Sequence, residues 1–105
     1  MNAEADEFEV HNLATRTSKV NVTCANSFVD FPSFFVAYNE KHVFEIDNAN
    51  ANINCFFRWT GVIHKFQIYD VERDQCVTCI WNLKADGPCF QDQLRGGEKC
   101  YPWDS

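Results

Sequence analysis

Residues 76–81 read CVTCIW, and two cysteines three positions apart are competent for three chemistries. They can hold a metal as thiolates, exchange thiol for disulfide, or serve as two halves of structural disulfides. Zinc would draw on Cys76, Cys79, Cys89 and Cys100, spaced C-x2-C-x9-C-x10-C. Structural zinc sites usually supply two tight knuckles, and ten residues separate the second pair here, so the spacing argues against zinc. Exchange chemistry needs a helix N-terminus to lower the attacking thiol's pKa. This motif instead runs into CIWNLK, which alternates as a strand does. With Cys24 and Cys55 the chain has six cysteines, the even complement of an oxidised framework. The reading is therefore structural disulfides and a secreted, extracellular protein. No cofactor or metal is expected.

Other catalytic arrangements are sparse. His11, His42 and His64 are the only histidines, and His64 falls on an inward strand face as a core imidazole. No G-x-S-x-G, H-E-x-x-H or paired-carboxylate motif appears, so no enzyme is expected. Fifteen acidic residues against nine basic ones give a net charge of −6 with no basic cluster, which speaks against nucleic acid and anionic membranes. No run approaches a membrane span, so no membrane insertion is expected, and a monomer is. A small secreted enzyme or a defence protein acting on an extracellular target stays open as the alternative.

The elements that must position these residues alternate with period two. SKVNVTC puts Val20, Val22 and Cys24 on one face and Asn21 and Thr23 on the other. KHVFEID sets Phe44 and Ile46 against Val43 and Glu45, and INCFFRW aligns Ile53, Cys55, Phe57 and Trp59. GVIHKFQIYD turns Val62, His64, Phe66 and Ile68 inward and Tyr69 outward; CVTCIWNLK aligns Val77, Cys79, Trp81 and Leu83. Turn-rich stretches separate these runs, no amphipathic helix emerges, and about seven or eight short strands are expected. The fold class is all-β, an antiparallel β-sandwich stapled by disulfides. Residues 1–105 form one domain with a flexible N-terminus (1–5) and an extended C-terminal tail (90–105). The opening MNAEADEF is acidic rather than a hydrophobic leader, so a mature form is expected. Trp103 is either tied against the sandwich through Cys100 or exposed. The sequon Asn21-Val22-Thr23 places Asn21 outward as a glycosylation candidate.

The stretch from Cys55 to Cys89 resembles the plant self-incompatibility S1 family. The resemblance rests on Cys55, Phe57 and Trp59; on His64, Phe66, Tyr69 and Asp70; on Arg73 and Asp74; on Cys76, Cys79 and Trp81; and on Asp86, Gly87 and Cys89. VNVTC at Cys24 and HVFEI extend it upstream, so that it covers about residues 8 to 90. The chain departs from the family pattern in carrying the apolar ANSFVDFPS after Cys24, where many members are charged, and in a tail that adds Cys100.

The resemblance implies a secreted recognition protein like the field poppy stigma ligand, which a pollen surface receptor reads. The implied partner is a cell-surface receptor, contacted by loops 25–33, 47–52 or 70–76. The last is preferred, through Asp70, Glu72, Arg73, Asp74 and Gln75. In the frame of that family the preferred pairing is Cys24–Cys89, Cys55–Cys79 and Cys76–Cys100, one of the many connectivities that six cysteines allow.

Overall fold

The computed structural model describes residues 5–49, 52–70, 73–74, 76–92 and 95–104. Among these residues nine strands follow one another: β1 (Ala5–Asn12), β2 (Val20–Ala25), β3 (Phe34–Val36), β4 (Lys41–Ala49), β5 (Ile53–Trp59), β6 (Val62–Tyr69), β7 (Thr78–Lys84), β8 (Gly87–Gln91) and β9 (Glu98–Cys100). Among the described residues there is no helix long and apolar enough to cross a membrane. One sheet has the order β4-β1-β7-β8-β9 and the other β3-β2-β5-β6. The all-β sandwich expected from alternation is present.

Alternation explains the core. Val20, Val22 and Cys24 of β2 and Ile53, Cys55 and Phe57 of β5 are buried, and face Phe8, Val10, Cys79, Trp81 and Leu83 of the other sheet. The Trp81 indole N–H donates to the Ile68 carbonyl at 2.8 Å, tying β7 to β6 across the core. A buried indole needs such a partner to offset the loss of water. Asn12 is also fully buried: its amide donates to the Val36 carbonyl at 3.0 Å, and its Oδ1 accepts from the Ala14 backbone N–H at 2.9 Å. It thereby pins the end of β1 to β3 in the second sheet.

Among the described strands, pairing departs from the antiparallel expectation between β1 and β7. β1 runs parallel to β7, with Phe8 opposite Cys79 and Val10 opposite Trp81. Parallel neighbours need a long crossover, and here the chain builds the entire second sheet before β7 returns beside β1. Phase also shifts within β6. A bulge in its pairing with β5, between Ile53 and Asn54, brings Tyr69 inward beside Ile68, although strict alternation had placed it outward. Val77, expected inward, precedes β7 and is exposed.

The disulfides pair Cys24 with Cys55, Cys76 with Cys79 and Cys89 with Cys100, which corrects all three pairings inferred from the family resemblance. The reason is register. Cys24 and Cys55 are direct partners on β2 and β5, with Cα atoms 4.1 Å apart; Cys89 and Cys100 are direct partners on β8 and β9 at 3.9 Å. Facing sheets lie about 10 Å apart and adjacent strands about 5 Å, so a directly paired cysteine is a much nearer partner than one across the sandwich. No cysteine among the described residues is free.

The segment expected to be an extended tail is built into the body. It completes β8, adds β9, and then lays Tyr101 and Trp103 against the core. Trp103 stacks on His64 with centroids 4.8 Å apart and donates its N–H to the Ala85 carbonyl at 3.1 Å. This strap explains Gly87, where a Cβ would collide with the Tyr101 carbonyl oxygen. Residues 1–4 lie outside the described part of the chain.

Candidate recognition surface

Three loops were candidates from the sequence, and the structure separates them. In the preferred one, Glu72 and Gln75 lie outside the described residues. Arg73 and Asp74 do not form a display surface. The Arg73 guanidinium donates to both Asp74 carboxylate oxygens, Nε to Oδ1 at 2.8 Å and an Nη to Oδ2 at 2.7 Å, and to the Gln67 carbonyl at 2.7 Å. Its plane of charge sits among the rings of Phe66, Trp81 and Tyr101, each about 5 Å from the centroid (5.1, 5.3 and 5.1 Å). Asp74 is only 4% exposed and also accepts the Asp70 backbone N–H at 3.0 Å. The half-buried Asp70 accepts the backbone N–H groups of Arg73 and Asp74 through its own carbonyl.

Burial on its own pulls the Arg73 pKa down. The Asp74 hydrogen bonds, with the nearby Asp74, Tyr101 and Asp70 charges, outweigh burial and hold it above its ordinary value. Asp74 is thus closed to a partner, and the Arg73 head is spent on an internal ion pair. The pairing of Arg73 with a neighbouring aspartate was open to the sequence; its burial was not, because D-V-E-R-D has the composition of a solvated turn.

The second candidate, residues 47–52, is largely strand: β4 continues to Ala49, and residues 50 and 51 lie outside the described part.

The third, residues 25–33, is an ordered projection. Asn26 Oδ1 accepts the backbone N–H groups of Phe28 and Val29 at 2.8 and 2.9 Å, and the Asn26 N–H donates to the Val29 carbonyl at 3.0 Å. Such an asparagine turn fixes the backbone without a helix or strand. The loop closes where the Phe31 N–H donates to the Cys24 carbonyl at 2.9 Å, directly at the Cys24–Cys55 bridge, while Phe31 packs on the core. At its tip Phe28 is 80% exposed, with Val29 beside it at 48%. A large aromatic held out to water on a fixed turn loses little freedom on binding and buries much apolar area.

A further surface was not foreseen as a unit. On the outer face of the β3-β2-β5-β6 sheet, Phe35, Asn21, Arg58 and Ile63 form one cross-strand row, and Thr23, Phe56 and Lys65 the next. Phe35, Phe56 and Ile63 are all exposed. Alternation indicates that each points outward; the register adds that Ile63 is diagonal to Phe56 and that Phe35 is beside Asn21, with Asn21 and Arg58 between Phe35 and Ile63.

The histidines occupy separate settings: His64 stacks on Trp103, His42 stacks on Phe34 with centroids 3.9 Å apart, and His11 lies 3.5 Å from the Glu9 carboxylate. Cys89, Glu98 and Cys100 are close enough to suggest a metal site. Both sulfurs are committed to their disulfide, and the Glu98 carboxylate is held by Lys84 at 2.9 Å and Asn82 at 2.7 Å. That set does not fit a cation.

Residues 7–103 match the model of a family described as plant self-incompatibility protein S1. S-protein homolog 3 of Arabidopsis thaliana is 37% identical over 95 residues, covering 81% of this chain and 63% of that protein. S-protein homolog 5 of the same plant is 45% identical over 51 residues, covering 47% of this chain and 38% of that protein. The chain therefore spans between 38% and 63% of the length of these relatives. A solved structure of SPH (self-incompatibility protein homologue) proteins superposes with a TM-score of 0.67 at 13% identity, covering 99% of this chain and 97% of that one. Those proteins are described as a widespread family of small, highly stable, secreted proteins from plants. At that identity the likeness concerns the fold.

Proposed function

The chain belongs to the plant self-incompatibility protein S1 family, and on that premise we propose that it is a secreted plant recognition protein that presents the 26–31 loop to a cell-surface receptor. The observation that carries the reading is Phe28, 80% exposed on a turn locked by Asn26 and rooted at the Cys24–Cys55 disulfide. An aromatic anchor in this state has the character of a binding hot spot: large, apolar and already placed. The rest of the fold acts as its mount, with disulfides, the Trp81 tie and the Arg73–Asp74 pair restricting motion below it.

The test is binding of fluorescently labelled protein to intact plant protoplasts. Saturable binding that is abolished by trypsin treatment of the cells is expected for a protein receptor. Binding that rises without saturation, or survives protease and follows lipid content, would contradict it.

A further inference from the structure

Asn21 lies on the outer face of the four-stranded sheet, where exposed apolar side chains are mixed with polar ones. Its Cα is paired with Phe35 on one side and Arg58 on the other, and Ile63 completes the row. Phe35 and Ile63 are 66% and 64% exposed, and Phe56, in the adjacent row, is 42% exposed. Phe35 is therefore an exposed ring directly beside Asn21, within reach of anything that asparagine carries. The same residue begins the chain's only N-x-S/T sequon, Asn21-Val22-Thr23.

We propose that Asn21 carries an N-linked oligosaccharide whose first sugars lie over Phe35, its direct cross-strand neighbour, so that the cover of this exposed ring is covalently part of the molecule. Burial agrees with this placement. Val20 and Val22 are fully buried on the inner side, so the Asn21 side chain is on the outer one. Its Nδ2 lies 3.4 Å from the Phe34 carbonyl. Linking a sugar consumes one Nδ2 hydrogen and leaves the other for that carbonyl. Pyranose rings present C–H groups on one side, which pack on an aromatic ring such as Phe35, while their hydroxyls face water or Arg58.

The covalent step is a glycosyl transfer from a lipid-diphosphate-linked oligosaccharide. The C1–O bond to the diphosphate breaks, the Nδ2–C1 bond forms, the amide gives up one proton and the lipid diphosphate departs. β2 is paired on both edges, with β3 and β5, so its backbone is unavailable to a transferase once folded. Transfer must precede completion of the sheet, on the chain as it enters the secretory pathway. The inference rests on the secreted part of the reading above and is independent of the receptor.

The experiment is secretion of the full chain from plant suspension cells behind a signal peptide, followed by mass spectrometry before and after peptide-N-glycosidase. The expected result is a loss of mass confined to the peptide holding Asn21, with conversion of that asparagine to aspartate. Asn21→Gln and Thr23→Ala should abolish the increment, and Thr23→Ser should keep it. A secreted, folded protein without sugar at Asn21 overturns the proposal.

The covering role is read separately, by removing the sugar enzymatically from the folded protein so that no variant need fold anew. Removal should raise the fluorescence of a hydrophobic dye severalfold and promote self-association, and Phe35→Ser in the deglycosylated protein should reverse both. Unchanged dye binding after removal overturns the cover, while leaving receptor binding through Phe28 to its own test.

Discussion

Arg73 and Asp74 are sequence neighbours whose side chains fold back on each other, guanidinium to carboxylate, at 2.8 and 2.7 Å among three aromatic rings. The pair ties the loop after β6 to rings from both sheets, since Phe66 belongs to one and Trp81 to the other. Removing one partner of a buried pair leaves the other charge without compensation, at a cost of about 3–5 kcal/mol. Asp74→Ala should lower stability by that amount in chemical denaturation. Arg73→Lys should recover only part of the loss from Arg73→Ala, because an ammonium cannot donate side by side to both carboxylate oxygens or lie flat against the rings. Equal stability of Asp74→Ala and the parent would show that the pair is merely superficial.

Trp81 combines burial with the hydrogen bond to the Ile68 carbonyl. Trp81→Ala should destabilise by about 3–5 kcal/mol, as deletion of a large buried aromatic does. Trp81→Phe keeps most of the apolar volume and strands the carbonyl, so it should fall between the two in thermal unfolding.

The disulfide map is directly testable. Non-reducing peptide mapping should recover Cys24 linked to Cys55 and Cys89 linked to Cys100, with Cys76 and Cys79 in one peptide carrying an internal bridge. Alkylation without reductant should label no thiol. Recovery of a Cys24–Cys89 peptide would restore the family-based pairing and contradict the register of β2 with β5.

Glu98 on the edge strand β9 is held by Lys84 and Asn82, and these hydrogen bonds lower its pKa from the ordinary glutamate value. A carboxyl whose folded pKa is depressed stabilises above the ordinary value of about 4.3, and that contribution fades as pH falls through the folded value. NMR titration should place Glu98 below the ordinary glutamate value, and Lys84→Ala should bring it back towards that value. Coincidence of Glu98 with free glutamate would show that the side-chain ties from β7 to β9 are broken in solution.

Much of this architecture was legible in the residues. The two-residue period of VNVTC and INCFFRW assigned the inward faces of β2 and β5, and the structure buries Val20, Val22, Ile53 and Phe57 accordingly. Periodicity carries no information about which strand lies alongside, so the parallel β1–β7 pair was invisible. The cysteine pairing failed for the same reason: Cys24 and Cys55 share an inward face, and only register makes them neighbours. The burial of the Arg73–Asp74 pair, rather than the pairing itself, was hidden by composition, because charges in a turn normally solvate, and only Tyr101, returning from far along the chain, completes the aromatic site that buries them. The 25–33 loop was a candidate from the sequence, but Phe28 stands out only once its neighbours Val29 and Phe31 have been divided between surface and core.

The central claim is that Phe28 and Val29 contact the receptor while the sandwich only holds them. Titrating plant protoplasts with the parent and with the Phe28→Ser, Val29→Ser double variant tests it most directly, with melting temperature measured on the same samples. The account expects affinity to fall about tenfold or more, the effect of losing an apolar hot spot. It expects stability to stay within about 0.5 kcal/mol per site, because both side chains already face water. Equal affinity of the two proteins, with both folded, would contradict it.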